Sequence, residues 1–207
     1  MILAIDTSTP RGSIALLEND RIILDEVFPC DRSQGSEMYR LLQQARGLAP
    51  RIEKIAIGIG PGSYAGVRIS IASGLGLSLS NGAEMLGLAS VAALETDARE
   101  YFAIGDARRD TFYFSRVRDG ICVEPPQLLD AIALAEKLAA APMLRVFSTA
   151  ALAAFPQAEI ALPRAANIAR LAAAGTGILA RGDFEPLYLR EPYITLPKSV
   201  KCDTVRP

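Results

Sequence analysis

The sequence predicts an α/β protein with mixed sheets, built as two related halves of which the second is the smaller. Three observations carry this. Short apolar runs closed by an acid or a glycine alternate with longer segments of helical spacing. The first series opens with three strand-like runs joined by tight turns, the signature of an antiparallel start. After Glu100 the pattern begins again: Tyr101-Phe102-Ala103-Ile104 runs toward Asp106 much as Ile2-Leu3-Ala4-Ile5 runs into Asp6.

In order along the chain, Ile2 to Ile5 reads as a buried strand, Thr7 to Gly12 as turn chemistry, and Ser13 to Leu17 as a second strand. Asn19-Asp20 turns the chain into a third strand, Arg21 to Phe28. A polar loop follows, then a helix with Ser36 as its N-cap and Met38, Leu41, Leu42 and Ala45 on one face. Lys54 to Gly58 is a strand that enters the loop Gly60-Pro61-Gly62-Ser63. A second helix runs from Tyr64 to Leu79 and stops at Asn81-Gly82. Met85 to Leu88 forms a short strand, and Val91 to Arg99 reads as a helix. In the second half, Thr111 to Val117 and the run after Asp119-Gly120 read as strands, with helices over Leu128 to Ala140 and Ile168 to Leu179. The expected division is therefore 1–99 for the first domain and 100–195 for the second, one of whose helices can pack back on the first. Residues 196–207 form a tail with little core-forming material.

Composition excludes several functions. The 207 residues can bury about 70% of their unfolded surface without a disulfide or metal staple. Lys and Arg number 22 against 23 Asp and Glu, so the chain lacks the basic excess of a protein that grips nucleic acid unaided. Cys30, Cys122 and Cys202 are odd in number with no C-x-x-C, which points to reduced thiols. With no leader-like segment and no apolar run near 18 residues, a cytoplasmic protein without membrane contact is expected. Histidine is absent altogether, which removes Ser-His-Asp and Cys-His catalysis and histidine-ligated metals. No metal site is expected.

Three features could still carry chemistry. The strand, the loop Gly60-Pro61-Gly62-Ser63 and the following helix bring backbone N–H groups and a helix N-terminus to one point, the recipe for holding an anion. No Gly-Lys-Ser/Thr follows, so it is not a P-loop. It follows the fourth strand rather than the first, which speaks against a nicotinamide cofactor. The alternative is that the glycines only permit a tight strand-to-helix turn. Asp6, with Thr7 and Ser8, resembles the acid and hairpin that hold magnesium and nucleotide phosphate in actin-like and sugar-kinase-like folds, with Asp106 as its counterpart. The alternative is an Asx-type cap for Asp6, and pairing with Arg108 and Arg109 for Asp106. The third feature is the ridge Gly66, Ser70, Gly74 and Ser78, rimmed by Val67, Ile71 and Leu75. It suits close helix packing, either within the monomer or against a partner. Arg11, Arg32, Arg40, Arg46 and Arg51 read as a solvated face.

Three stretches together resemble the TsaB/YeaZ family: Ile2 to Thr9; Ile57 to Ser70, with its G-P-G-S-Y-A-G-V-R-I core; and Asp106-Ala107-Arg108-Arg109 with Phe112-Tyr113, followed by Leu187 to Thr195. The resemblance implies an actin/Hsp70/sugar-kinase-like (ASKHA, ribonuclease-H-like) two-domain fold with a reduced second domain. It implies a non-catalytic subunit, a pseudoenzyme, in the complex that forms N6-threonylcarbamoyladenosine next to the anticodon of tRNAs reading codons that begin with A. The partner would be a TsaD-like catalytic paralogue whose metal is held by histidines, with a TsaE-like ATPase joining the complex. The chain would form a homodimer when alone and would reach tRNA only through the complex. No cofactor would be tightly bound, although ATP or ADP could sit at the complex interface. The partner surface would be the first two helices, through Met38, Leu41, Leu42, Ala45, Val67, Ser70, Ile71, Gly74 and Ser78. Gly35 stands where many members have histidine before Ser-Glu. The competing reading is a nucleotide-binding phosphotransferase or ATPase acting alone through Asp6, Thr7, Ser8, Gly60, Gly62 and Ser63. A metallopeptidase lacks its ligands.

Overall fold

The computed structural model describes residues 1–190 except Ser33, Pro50 and Asp183. Strands β1 (Ile2–Asp6), β2 (Arg11–Glu18) and β3 (Arg21–Pro29) form an antiparallel meander. Helix α1 (Gln34–Leu48) crosses to β4 (Lys54–Gly58), and α2 (Tyr64–Asn81) to β5 (Glu84–Leu88). β4 adds in parallel beside β1, and β5 in parallel beside β4. Alternate residues divide the sheet. Leu3, Ile5, Ile14, Leu16, Ile55 and Ile57 face α1 and α2, while Ala4, Ala15, Leu17, Ala56, Leu86 and Leu88 face the opposite side. Both faces are covered, so the strands read as continuous apolar runs.

The second half repeats this plan. β6 (Glu100–Asp106), β7 (Thr111–Arg118) and β8 (Ile121–Asp130) form the meander, and β9 (Arg145–Ser148) and β10 (Glu159–Ile160) add in parallel, with α3 (Ala131–Ala139) between β8 and β9. The order β8-β7-β6-β9-β10 matches β3-β2-β1-β4-β5 strand for strand. The chain then returns to the first lobe. α4 (Ala165–Ala174) covers the second face of the first sheet through Ala165, Ala166, Ile168, Ala169 and Ala172, and β11 (Ile178–Arg181) pairs with β5. Alanines at this interface keep α4 close to a sheet face that is itself rich in alanine. Arg164, bridging Asp25 at 2.9 Å and Glu95 at 3.5 Å, ties the lobes, and Arg11 joins Glu95 rather than lying on a solvated face.

Four boundaries differ from the sequence reading. Val91 to Arg99 is not a helix: only Ser90–Ala93 makes a 3₁₀ turn, because Leu94 and Glu95 pair with Pro163 and Leu162 as the chain crosses between lobes. β8 continues to Asp130, whose carboxylate caps α3 by accepting from Ala133 N–H at 2.8 Å. Its Pro125-Pro126 pair is tolerated because β8 is an edge strand. α4 ends at Gly175, at φ 68°, well before Leu179. α1 begins at Gln34, so Ser36 is inside its first turn rather than its cap. The tail 196–207 lies outside the described residues.

The small-residue ridge of α2 also needs correction. It faces its own sheet: Ser70 is fully buried, and a Cβ on Gly74 would stand 2.9 Å from Ile57 Cδ1 and 3.3 Å from Ile55 Cγ2. Met38, Leu41, Ala45 and Val67 are core residues as well, so these six positions are covered within the monomer. Leu42, Ile71 and Ser78 are half-buried, and the outward stripe of α2 is instead Ala72, Leu75, Gly76 and Leu79, with Leu79 79% exposed. Gly74→Arg is accordingly expected to cost about 3 kcal/mol or more by overpacking and burying an unpaired charge, whereas Leu79→Arg should stay within about 0.5 kcal/mol of wild type. Urea unfolding of both variants checks this, and a Gly74→Arg protein of wild-type stability would contradict it.

Candidate functional site: the cleft between the lobes

The floor of the interlobe cleft is built at the end of β1. Asp6 is 1% exposed, and its Oδ1 accepts from Ser8 N at 2.9 Å and Ser8 Oγ at 2.7 Å, an Asx-type cap. Oδ2 points the other way, against Gly58, where an added Cβ would lie 1.8 Å from it. Burial pushes the Asp6 carboxyl above its ordinary value, offset in part by Ser90, which lies beside it without a well-directed hydrogen bond, and by Ser8. Asp6 is sealed beneath the cleft rather than lining it. It therefore does not present a carboxylate to a magnesium ion there.

The glycine loop is clamped to the same turn. Gly60 has φ +99°, a conformation that glycine alone adopts freely. Ser63 N–H donates to Ser8 O at 2.7 Å, and Thr7 Oγ1 donates to Gly66 O at 2.6 Å. A Cβ at Gly62 would fall 2.3 Å from Ser8 O, and one at Gly66 1.9 Å from Thr7 O. These glycines thus serve backbone-to-backbone approach. Ser63 Oγ caps α2 by accepting from Gly66 N at 3.1 Å. Two of the N–H groups expected to greet an anion are consumed internally. Of the predicted anion-site residues, Ser8, Gly60, Gly62 and Ser63 line the cleft, while Asp6 and Thr7 do not.

The cleft itself, of about 1170 Å³, runs between the two lobes. One wall is the start of α2, where the Arg68 guanidinium lies 3.3 Å from the centre of the Tyr64 ring and 5.0 Å from that of Tyr188. It also donates to Tyr64 O at 3.0 Å and to the Tyr188 hydroxyl. The other wall is the β6–β7 turn, Arg108-Arg109-Asp110. There Asp106 Oδ1 accepts from the Arg108 backbone N–H at 2.6 Å, so the second-lobe acid caps its own turn as Asp6 does. Residues 186–190 cross between the walls. Leu187 N–H donates to Ile59 O at 2.8 Å, and Arg190 Nη2 donates to Arg108 O at 3.1 Å and to Thr111 Oγ1. The roles of Tyr64, Arg68, Tyr188 and Arg190 were not readable from spacing, although Arg68 sits in the most distinctive stretch of the sequence. Burial raises the Cys30 thiol to about 11 and the Cys122 thiol above its ordinary value, so neither is an activated nucleophile. Among the described residues no His/Cys/Asp/Glu cluster could hold a metal, and no helix is long and apolar enough to cross a membrane.

Twin meander-plus-crossover sheets around a cleft define a protein of the actin/Hsp70/sugar-kinase fold class, here with its first-strand acid closed off. The family model described as TsaD, tRNA N6-adenosine threonylcarbamoyltransferase, matches residues 36–185. An uncharacterized protein of Mycobacterium tuberculosis is 29% identical over 201 residues, 92% of each chain. The tRNA threonylcarbamoyladenosine biosynthesis protein TsaB of Bacillus subtilis is 31% identical over 120 residues, 54% of this chain and 52% of that protein. A solved structure of an uncharacterized Pseudomonas aeruginosa protein with similarity to peptidase YeaZ shares 28% identity and covers 91% of this chain and 99% of its own, at a TM-score of 0.64. The chain belongs to the tRNA N6-adenosine threonylcarbamoyltransferase family, on its TsaB (YeaZ) side.

The sealed Asp6 has a pH consequence. Its pKa is higher folded than unfolded, so the folded state holds the proton longer and stability falls as pH rises from about 4 through the folded pKa. Asp6→Asn keeps the acceptor for Ser8 and removes that fall. The stability advantage of the Asn variant over wild type should therefore grow with pH in urea titrations between pH 4 and 8. A constant difference across that range would contradict a raised pKa.

Proposed function

We propose that this chain is the non-catalytic TsaB-type subunit of the complex that forms N6-threonylcarbamoyladenosine next to the anticodon of tRNAs reading codons that begin with A. The observation that carries this reading is a chain matching the transferase family over most of its length with no histidine anywhere to hold a catalytic metal. The near-neutral balance of charge supports a tRNA contact made chiefly by the partner. The sealed Asp6 weighs against an independent magnesium-dependent phosphotransferase.

The partner is a TsaD-like catalytic paralogue, joined by a TsaE-like ATPase. Binding stabilises and activates the paralogue, with ATP or ADP at the interface between subunits and self-association when the paralogue is absent. Helices α1 and α2 lie on one face of the first sheet, and their outward residues support this surface: Tyr39 and Leu48 on α1, Leu75 and Leu79 on α2, with Leu42 and Ile71 half-buried between. The interface is thus shifted by roughly half a helical turn from the ridge read in the sequence.

The double variant Leu75→Arg/Leu79→Arg tests it. Co-purification with the TsaD paralogue from the same organism should fall at least about tenfold, the loss of a central apolar contact, while thermal unfolding of the isolated chain stays near wild type. Undiminished co-purification would overturn the proposed surface.

A further inference from the structure

We propose that residues 186–190 are a releasable strap across the cleft, and that its fastening to the second lobe by Leu189 and Arg190 sets how far the lobes open. This goes beyond the subunit reading and does not depend on it.

The strap changes lobe within one peptide bond. On the first-lobe side, Leu187 N–H donates to Ile59 O at 2.8 Å, and the Leu187 side chain packs on the core beneath α1 and α2. The Tyr188 hydroxyl accepts from Arg68, whose guanidinium lies 3.3 Å from the centre of the Tyr64 ring and donates to Tyr64 O at 3.0 Å. On the second-lobe side, Leu189 packs on the cluster that holds Tyr101, Tyr113 and Phe147. Arg190 Nη2 donates to Arg108 O at 3.1 Å and to Thr111 Oγ1. Each side of the Tyr188–Leu189 peptide therefore has its own apolar anchor and its own hydrogen bonds. Arg68 and the Arg108 turn are the two facing walls of the cleft, so the strap bridges them directly.

The other joint between the lobes is built differently. Leu94 bridges Pro163, Glu95 N–H donates to Leu162 O at 2.9 Å, and Arg164 N–H donates to Ala93 O at 3.0 Å. Ala165 N–H donates to Ser13 Oγ at 2.9 Å, both residues being fully buried, and Arg11 and Arg164 share Glu95. This joint is short, paired through its backbone and sealed. The strap is none of these. Tyr188 is 39% exposed, Leu187, Leu189 and Arg190 are half-buried, and residues 186–190 belong to no strand or helix. Local opening begins where buried contacts are few. The paired crossings act as the axis and the strap as the fastening, as in a hinge closure.

The test measures the distance between two nitroxides on the full chain, one at Ala72 in the first lobe and one at Gln157 in the second, both exposed. The labels are carried on ketone side chains introduced by codon suppression, so the native cysteines stay. Four proteins are compared: wild type, Leu189→Ser/Arg190→Ala, Arg190→Ala alone, and Arg181→Ala, whose partner Glu84 lies outside the strap. Wild type and Arg181→Ala should share one distance. The double variant should shift most molecules to a longer one, and Arg190→Ala, which keeps the Leu189 contact, a smaller share. Wild-type distances in both strap variants would overturn the proposal, as would an equal shift in Arg181→Ala. So would loss of amide protection along β6 and β7 in the double variant, because the strap would then be part of the second lobe's core rather than its fastening.

Discussion

Thr7 and Ser8 join the β1–β2 turn to the start of α2 at backbone contact distance, and most of the first lobe is arranged around that join. Thr7 O leaves room for nothing larger than glycine at 66, and Ser8 O for nothing larger than glycine at 62. Ser63 N–H and Thr7 Oγ1 close the contact with two hydrogen bonds. Because α2 is fixed at this end, its small face continues along the sheet, and Gly74 meets Ile57 and Ile55. Beneath the turn, Asp6 is enclosed by Ser8 and Gly58. One constraint thus sets three features: the tilt of α2 on the sheet, the floor of the cleft, and the removal of an acid from it.

The same constraint explains why the glycine loop misleads when read as letters. Gly60-Pro61-Gly62-Ser63 between a strand and a helix is what an anion cradle needs, but it is also what a backbone clamp needs. Spacing cannot separate the two, because the deciding partner is the carbonyl of Ser8, more than fifty residues earlier. The two-lobed repeat was legible because Ile2 to Asp6 and Tyr101 to Asp106 share one local pattern. The helix ridge was legible as a ridge, but not as to which side it faced, since small residues suit a sheet as well as a helix. α4 was legible as a helix, but its end and the whole of β11 were hidden by alanine-rich composition and by Gly175 and Gly177, which interrupt what reads as one long helix. The arginine turn was visible as a turn, as part of a stretch resembling the family, and as partners for Asp106. Its left-handed backbone and its pinning by Arg190, some eighty residues on, are properties of the fold.

A division of labour follows from these placements. The first lobe spends its small residues inward and leaves Leu75 and Leu79 outward, an arrangement that favours association over chemistry. The second lobe has the compact twin sheet and contributes the arginine turn, while residues 186–190 tie the two lobes by binding Ile59 on one side and Arg108 on the other. Among the described residues no His/Cys/Asp/Glu cluster could hold a metal and neither described thiol is activated, and the sequence holds no histidine. These features accord with the proposed role of a subunit that contributes a surface, with the β1 acid closed off.

The most direct measurement is a reconstituted tRNA threonylcarbamoylation assay using the TsaD and TsaE proteins of the same organism, run with and without this chain. The account predicts that modification requires the chain, and that the chain without the TsaD protein produces none. Full modification in its absence, or modification by the chain unaided, would contradict the account.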